Sequence, residues 1–328
     1  LIALGVLLAW LPAHAAPIPA DLTITANISY DTGFATNSSG ASLSGTMSTI
    51  IGGAETASGF TNGAVTGSNP LAGNLTDTGD GIAIRDVTAS AINNASTKAG
   101  VDVRLSLGNT SVTATYDVVL LFDSNKHVDV SGTDAYVHSE FTVDENGSEK
   151  FFTDIESDVV NGDQLNGISQ GTFGAPTTDS AAEVLNITLG PGATVIIDGD
   201  WTMKLESLAA NSGANGNFSG TMTVFFAGTK EADTDSDGFT DYEEAIAGTS
   251  SSNSNDFFRV NIDQQGSDVI LTWPSLSNRA YSVFSRPNLL TGAWNPTETG
   301  LPATPPMNTY IVDPLSQFFY LTVEFPVH

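Results

Sequence analysis

The chain has 328 residues, and its 37 acidic side chains against 10 basic ones give a formal net charge of −27 at neutral pH. Ten Lys and Arg cannot build a basic patch of useful size, which excludes nucleic acid and anionic membrane surfaces as partners. The absence of cysteine removes disulfides, thiolate metal sites and cysteine nucleophiles together, and the length allows two domains with cores of their own.

Leu1 to Leu11 is almost uniformly apolar and is followed by Ala13-His14-Ala15, an A-x-A cleavage signal. Residues 1–16 therefore read as a secretory leader, truncated in front because Met and a basic stretch are missing. The run falls short of the about 20 apolar residues of a membrane-spanning helix. The expectation is an exported chain, secreted or at the cell surface, not inserted in the membrane once the leader is removed.

Residues 17–229 are rich in Gly, Ser, Thr, Asn and Asp, which separate short runs of alternating apolar and polar residues. Leu22, Ile24, Ala26, Ile28 and Tyr30 share one face of an extended chain, the period of a half-buried strand. Similar alternation marks Ile82 to Val87, Val101 to Leu107, Val112 to Phe122, Val184 to Leu189, Val195 to Leu205 and Phe218 to Phe226. Asn146-Gly147, between Phe141 and Phe152, suits the type I′ turn of a hairpin. Many short strands with almost no helical periodicity predict a large antiparallel β-sandwich or jelly roll.

Asp233-Thr-Asp-Ser-Asp-Gly-Phe-Thr-Asp-Tyr-Glu-Glu244 carries the most specific chemistry in the chain. Carboxylates at loop positions 1, 3, 5, 9 and 12 with Gly238 at position 6 have the spacing of a twelve-residue calcium loop. Asp233, Asp235 and Asp237 would alternate inward, and Phe239 would offer its backbone carbonyl. Asp241 would bind directly or through water, and Glu244 would give two oxygens. Gly238 allows the sharp turn, and Gly248 suits the end of a short helix after Tyr242. The entering segment from Val224 reads as a strand instead of the first helix of an EF-hand.

This one-sided pattern, Asp-x-Asp-x-Asp-Gly-x-x-Asp-x-x-Glu followed by Gly-Thr, resembles the bacterial thrombospondin type 3 repeat over about residues 230–256. The resemblance implies one structural calcium ion in a linker of an exported surface protein. Residues 250–255 stand where the family often continues into a second acidic repeat, and the loop occurs once, unlike the paired loops of dockerins.

Residues 257–328 have denser apolar runs and several prolines. Strand-like segments begin at Phe257, Asp268, Ala280, Thr309 and Phe318, with Trp273 and Trp294 as expected core anchors. Their layout looks distantly like a fibronectin type III module. Thr249 to Asn255, small and polar, would form a flexible junction before it.

No catalytic constellation emerges. His127 and His138 lack a serine in an elbow motif, and the many carboxylates nominate no glycosidase pair. Phe122-Asp-Ser-Asn-Lys-His127 and Asp198-Gly-Asp200 could lend oxygens to a second calcium but read better as turns, as does Gly79-Asp-Gly81. The chain thus reads as an all-β, non-enzymatic, calcium-binding structural or adhesion protein, with calcium stiffening the linker. Extracellular polysaccharide or surface and matrix proteins are the partners such a design would meet. The alternative is a carbohydrate-binding module, for which Trp201 is the large domain's only tryptophan.

Overall fold

A computed structural model describes residues 16–266, 268–288, 290–312 and 318–325. The expected leader up to Ala15, and the terminal His328, lie outside the described residues. The chain is all-β, 63% strand and 2% helix, and it divides into two compact units, Ala15–Gly228 and a second that begins at Thr229 and runs to the C-terminus.

Eight long strands of the larger unit nest like a folded hairpin. Gly81–Ile92 pairs with Gly213–Gly228, Ala95–Asn109 with Thr194–Ser207, Tyr116–Ser131 with Thr177–Leu189, and Ala135–Glu145 with Ser148–Asp158, all antiparallel. First pairs with eighth, second with seventh, third with sixth and fourth with fifth, which is the jelly-roll order. The N-terminal segment widens both sheets: Leu22–Tyr30 joins the edge of Ala95–Asn109, and Ala41–Ile51 joins that of Gly81–Ile92.

Alternation drives this arrangement, because every second side chain of a strand meets the opposing sheet and burial of that face supplies most of the stabilisation. Ile24, Ile28, Leu105, Leu107, Phe122, Val137 and Trp201 lie in one continuous core. Trp201 stacks on Phe218 at 4.8 Å and donates its indole N–H to Ser139 Oγ at 3.2 Å. Asn146 and Gly147, with φ of 50° and 79°, make the expected tight turn.

The structure corrects several local readings. Val112 lies in an exposed turn and the strand begins only at Tyr116. Phe122 to His127 is not a turn: it runs through the middle of Tyr116–Ser131, with Asp123 opposite Ala182 on one side and Thr221 on the other. Asp198 and Asp200 likewise sit inside Thr194–Ser207, and Asp198 pairs with Arg104 at 2.5 Å. Two-sided ladder pairing outweighs the turn preference of Asp, Ser, Asn and Gly.

Buried aspartates organise the loops. Asp163 is 0% exposed and accepts from the backbone N–H groups of Asp158, Gly174 and Ala175 and from the Ser157 and Thr172 hydroxyls. Burial pushes its carboxyl up, but these bonds outweigh it and hold the carboxyl below its ordinary value. Asp163→Asn places an amide against donors, so chemical denaturation should show roughly 2 kcal/mol lost from the large unit. A depressed folded pKa stabilises above the ordinary value of 3.8, and that contribution disappears as pH falls below it. The deficit of the variant should therefore shrink in strong acid; a constant deficit would contradict the assignment.

The second unit holds two three-stranded sheets. Asn261–Gln265, Asp268–Pro274 and Met307–Val312 form one, and Asn295–Pro302, Ala280–Arg286 and Phe318–Glu324 form the other. Leu271, Trp273, Tyr281, Val283 and Val312 fill the space between them, whereas Trp294 lies half-buried with Arg286 over its ring. The acidic loop belongs to this unit; of the stretch expected to form a junction after it, Ser250 is buried while Ser252 to Asn255 are exposed.

Candidate metal centre

The strand Gly213–Gly228 ends just before the acidic loop, and the helix Asp241–Ala247 leaves it. Thr240 caps that helix in a reciprocal box with Glu243: the Glu243 N–H donates to Thr240 Oγ1 at 3.2 Å, and the Thr240 N–H donates to Glu243 Oε2 at 2.8 Å. Gly248, at φ 78°, ends it in the left-handed conformation, and its N–H donates to the Glu244 carbonyl at 2.7 Å. A short seven-residue helix held at both ends fixes Glu244 relative to the loop.

The loop folds onto its first carboxylate, Asp233. The Asp237 and Gly238 N–H groups donate to the two Asp233 oxygens at 3.2 and 3.0 Å, and the Phe239 N–H donates to Asp237 Oδ1 at 2.9 Å. Gly238 has φ of 99°, a conformation that a Cβ would oppose. Asp233, Asp235 and Asp237 each bring one oxygen into a group whose members all lie within 4.8 Å of one another.

Both Asp235 oxygens, Asp237 Oδ2 and Glu244 Oε2 are shielded from solvent and have no hydrogen-bond partner. Glu244 itself is 1% exposed. Burial, then the neighbouring Asp235 and Asp237 charges, push its carboxyl up to about 7. Buried acceptors without donors cost roughly 1–3 kcal/mol each, more when charged, and a divalent cation is the partner that would satisfy all of them at once. The donor set is oxygen only, which fits a hard cation.

Asp233, Asp235 and Asp237 are thus gathered; Glu244 lies outside that group, near enough to feel the Asp235 and Asp237 charges, with its Oε1 accepting from the Thr249 hydroxyl at 3.4 Å, and Asp241 is engaged elsewhere. Both Asp241 oxygens accept from Thr234, from its N–H at 2.8 Å and its hydroxyl at 2.6 Å, which fastens the helix start to the loop start. The Phe239 side chain is exposed and stacks with Phe257, 6.5 Å between ring centroids. No separate sugar platform comes from Trp201, which is 0% exposed.

No protein-family model matches the chain, and no curated protein matches it. Among solved structures, that of infectious bursal disease virus Gx strain is similar with a TM-score of 0.14 and 8% identity, covering 64% of this chain and 67% of that one. An archaeal virus protein described by its triple jelly-roll fold and turret assembly is similar with a TM-score of 0.14 and 10% identity, covering 95% of this chain and 77% of that one. Likenesses at this level carry no argument about function.

Proposed function

We propose that this is an exported, calcium-binding structural or adhesion protein of the cell surface or extracellular space. Calcium orders residues 230–256 and fastens their helix to the small sandwich. One observation carries the reading: four carboxylate oxygens, from Asp235, Asp237 and Glu244, are each buried without a donor. Asp233, Asp235, Asp237 and Glu244 would hold the ion, with Asp241 and the Phe239 carbonyl completing the set through water or a small loop adjustment. The bound ion supplies charge neutralisation, and in its absence the mutual repulsion of these groups loosens the loop. Export rests on the apolar leader and A-x-A signal of the sequence.

Calorimetric titration of the chain without its leader should find one calcium per molecule with Kd of roughly 0.1–1 mM, the range of extracellular modules. Magnesium should bind far more weakly, because it keeps its waters and demands a tighter octahedron. No uptake of calcium, or unchanged uptake by Asp235→Ala, would remove the reading.

A further inference from the structure

Away from the acidic loop, the jelly roll assembles a second group of metal-binding side chains of different chemistry. His138 and Glu140 stand two residues apart on Ala135–Glu145 and so share a face, and Asp154 on Ser148–Asp158 lies directly opposite Glu140. One nitrogen and two oxygens from these three residues all lie within 4.8 Å of one another. The His138 and Asp154 side chains are only 22% and 15% exposed.

The His138–Asp154 contact is a long hydrogen bond whose spacing also fits two ligands of one ion. His138 Nε2 is 3.4 Å from Asp154 Oδ2, whereas a charge-assisted N–H···O bond settles near about 2.8 Å. Two donors bound to one ion at about 2.1 Å and a tetrahedral angle stand about 3.4 Å apart. The other Asp154 oxygen is already held, since the Gly167 N–H donates to Oδ1 at 3.0 Å. The Asp154 N–H donates to Asn166 Oδ1 at 3.0 Å. The turn at Asn166-Gly167 thereby orients the carboxylate and leaves Oδ2 toward the imidazole, the kind of outer support that metal ligands need.

We propose that His138, Glu140 and Asp154 form a zinc-class divalent metal site with one coordination position left for water or an external donor. An imidazole with two carboxylates suits a borderline transition ion, while calcium takes oxygen donors. The surroundings favour a cation. Glu156 is paired with His138 across the ladder, and Asp158 lies two pairs further along, opposite Tyr136. Two ammonium groups oppose them: Lys204, paired with His138 across the neighbouring ladder, binds Glu206 at 3.0 Å and lies over the Tyr136 ring, and Lys126, whose Nζ donates to the Thr153 carbonyl, faces the charges of Asp179, Asp154 and Glu140, so the incoming ion competes with it for the last two. The sequence conceals the site, because its ligands meet only through strand pairing.

Titration of the full chain with zinc chloride, in saturating calcium so that the acidic loop is filled, tests it. Wild type should take up one zinc per molecule, and cobalt should give the intense visible bands of a low-symmetry site. His138→Ala should abolish uptake, Glu140→Gln should weaken it at least about tenfold, and His127→Ala, on the other sheet, should leave it unchanged. Glu140→Gln preserves side-chain size, so it decides the matter even where His138→Ala folds poorly. No uptake by wild type, or equal uptake by His138→Ala and wild type, overturns the proposal.

Discussion

Glu244→Gln will weaken calcium binding about a hundredfold, roughly 3 kcal/mol, and will also abolish a pH dependence that wild type shows. In the metal-free loop burial and the Asp235 and Asp237 charges raise the Glu244 carboxyl to about 7, so near neutrality a proton must leave before the ion can bind. Calcium affinity should therefore rise as pH increases from 6 to 8 and level off above that, with proton release detectable in buffers of different ionisation enthalpy. Stability without metal moves the other way. Unfolded Glu244 titrates near its ordinary 4.5 and folded Glu244 near 7, so folding takes up a proton between those values. The metal-free unit should lose stability as pH climbs through this window, with no loss below it. Glu244→Gln carries no titrating group and should flatten both profiles. Equal pH slopes in wild type and variant would show that Glu244 does not face the ion.

The convergence of Asp233, Asp235 and Asp237 was legible in the sequence because these carboxylates are nearly contiguous and their spacing encodes it. The alternation of Leu22 to Tyr30 was legible for a related reason: that strand is apolar on one face over its whole length, and the structure places it at Leu22–Tyr30. Ala41–Ile51 was not, since Ala-Ser-Leu-Ser-Gly-Thr-Met-Ser-Thr interrupts the apolar period with small polar residues. Its core side chains, Leu43 and Met47, are four residues apart. Asp123 and Asp198 looked like turn residues because composition reports local preference, whereas their neighbours in the ladders come from about sixty to a hundred residues away. The contact of His138 with Asp154, 3.4 Å apart, was hidden for a different reason: it depends on the register of the hairpin, which spacing along the chain does not show. Pairing is non-local information, and jelly-roll nesting places most of it at long separation.

Arg279→Ala will cost the small unit roughly 4 kcal/mol and largely uncouple calcium binding from the stability of its core. Arg279 is 2% exposed, and its Nε donates to the Ile246 carbonyl at 2.7 Å, at the helix end where carbonyls lack partners. Its Nη1 donates to the Asn278 carbonyl at 3.0 Å, and its guanidinium lies 4.4 Å from the Phe325 ring centre. Burial lowers its pKa to about 10, with Tyr281 and Tyr242 opposing the shift, so it remains charged at neutral pH and complements the helix dipole. Alanine removes these bonds together with the volume of a buried side chain. Leu276, which occupies the space a Cβ at Gly248 would need, then remains as a contact between helix and sandwich. Arg279 holds the Ile246 and Asn278 carbonyls, beyond the loop carboxylates, so calcium affinity should change by less than about threefold. In wild type, near-ultraviolet dichroism of Trp273, fully buried in this core, should follow a melting transition that calcium raises. In Arg279→Ala the transition should start lower and calcium should move it much less than in wild type, through the Leu276 contact alone. A calcium shift of wild-type size in that variant would mean that the ion stabilises the sandwich by another route, and the helix would then be a passenger of the site.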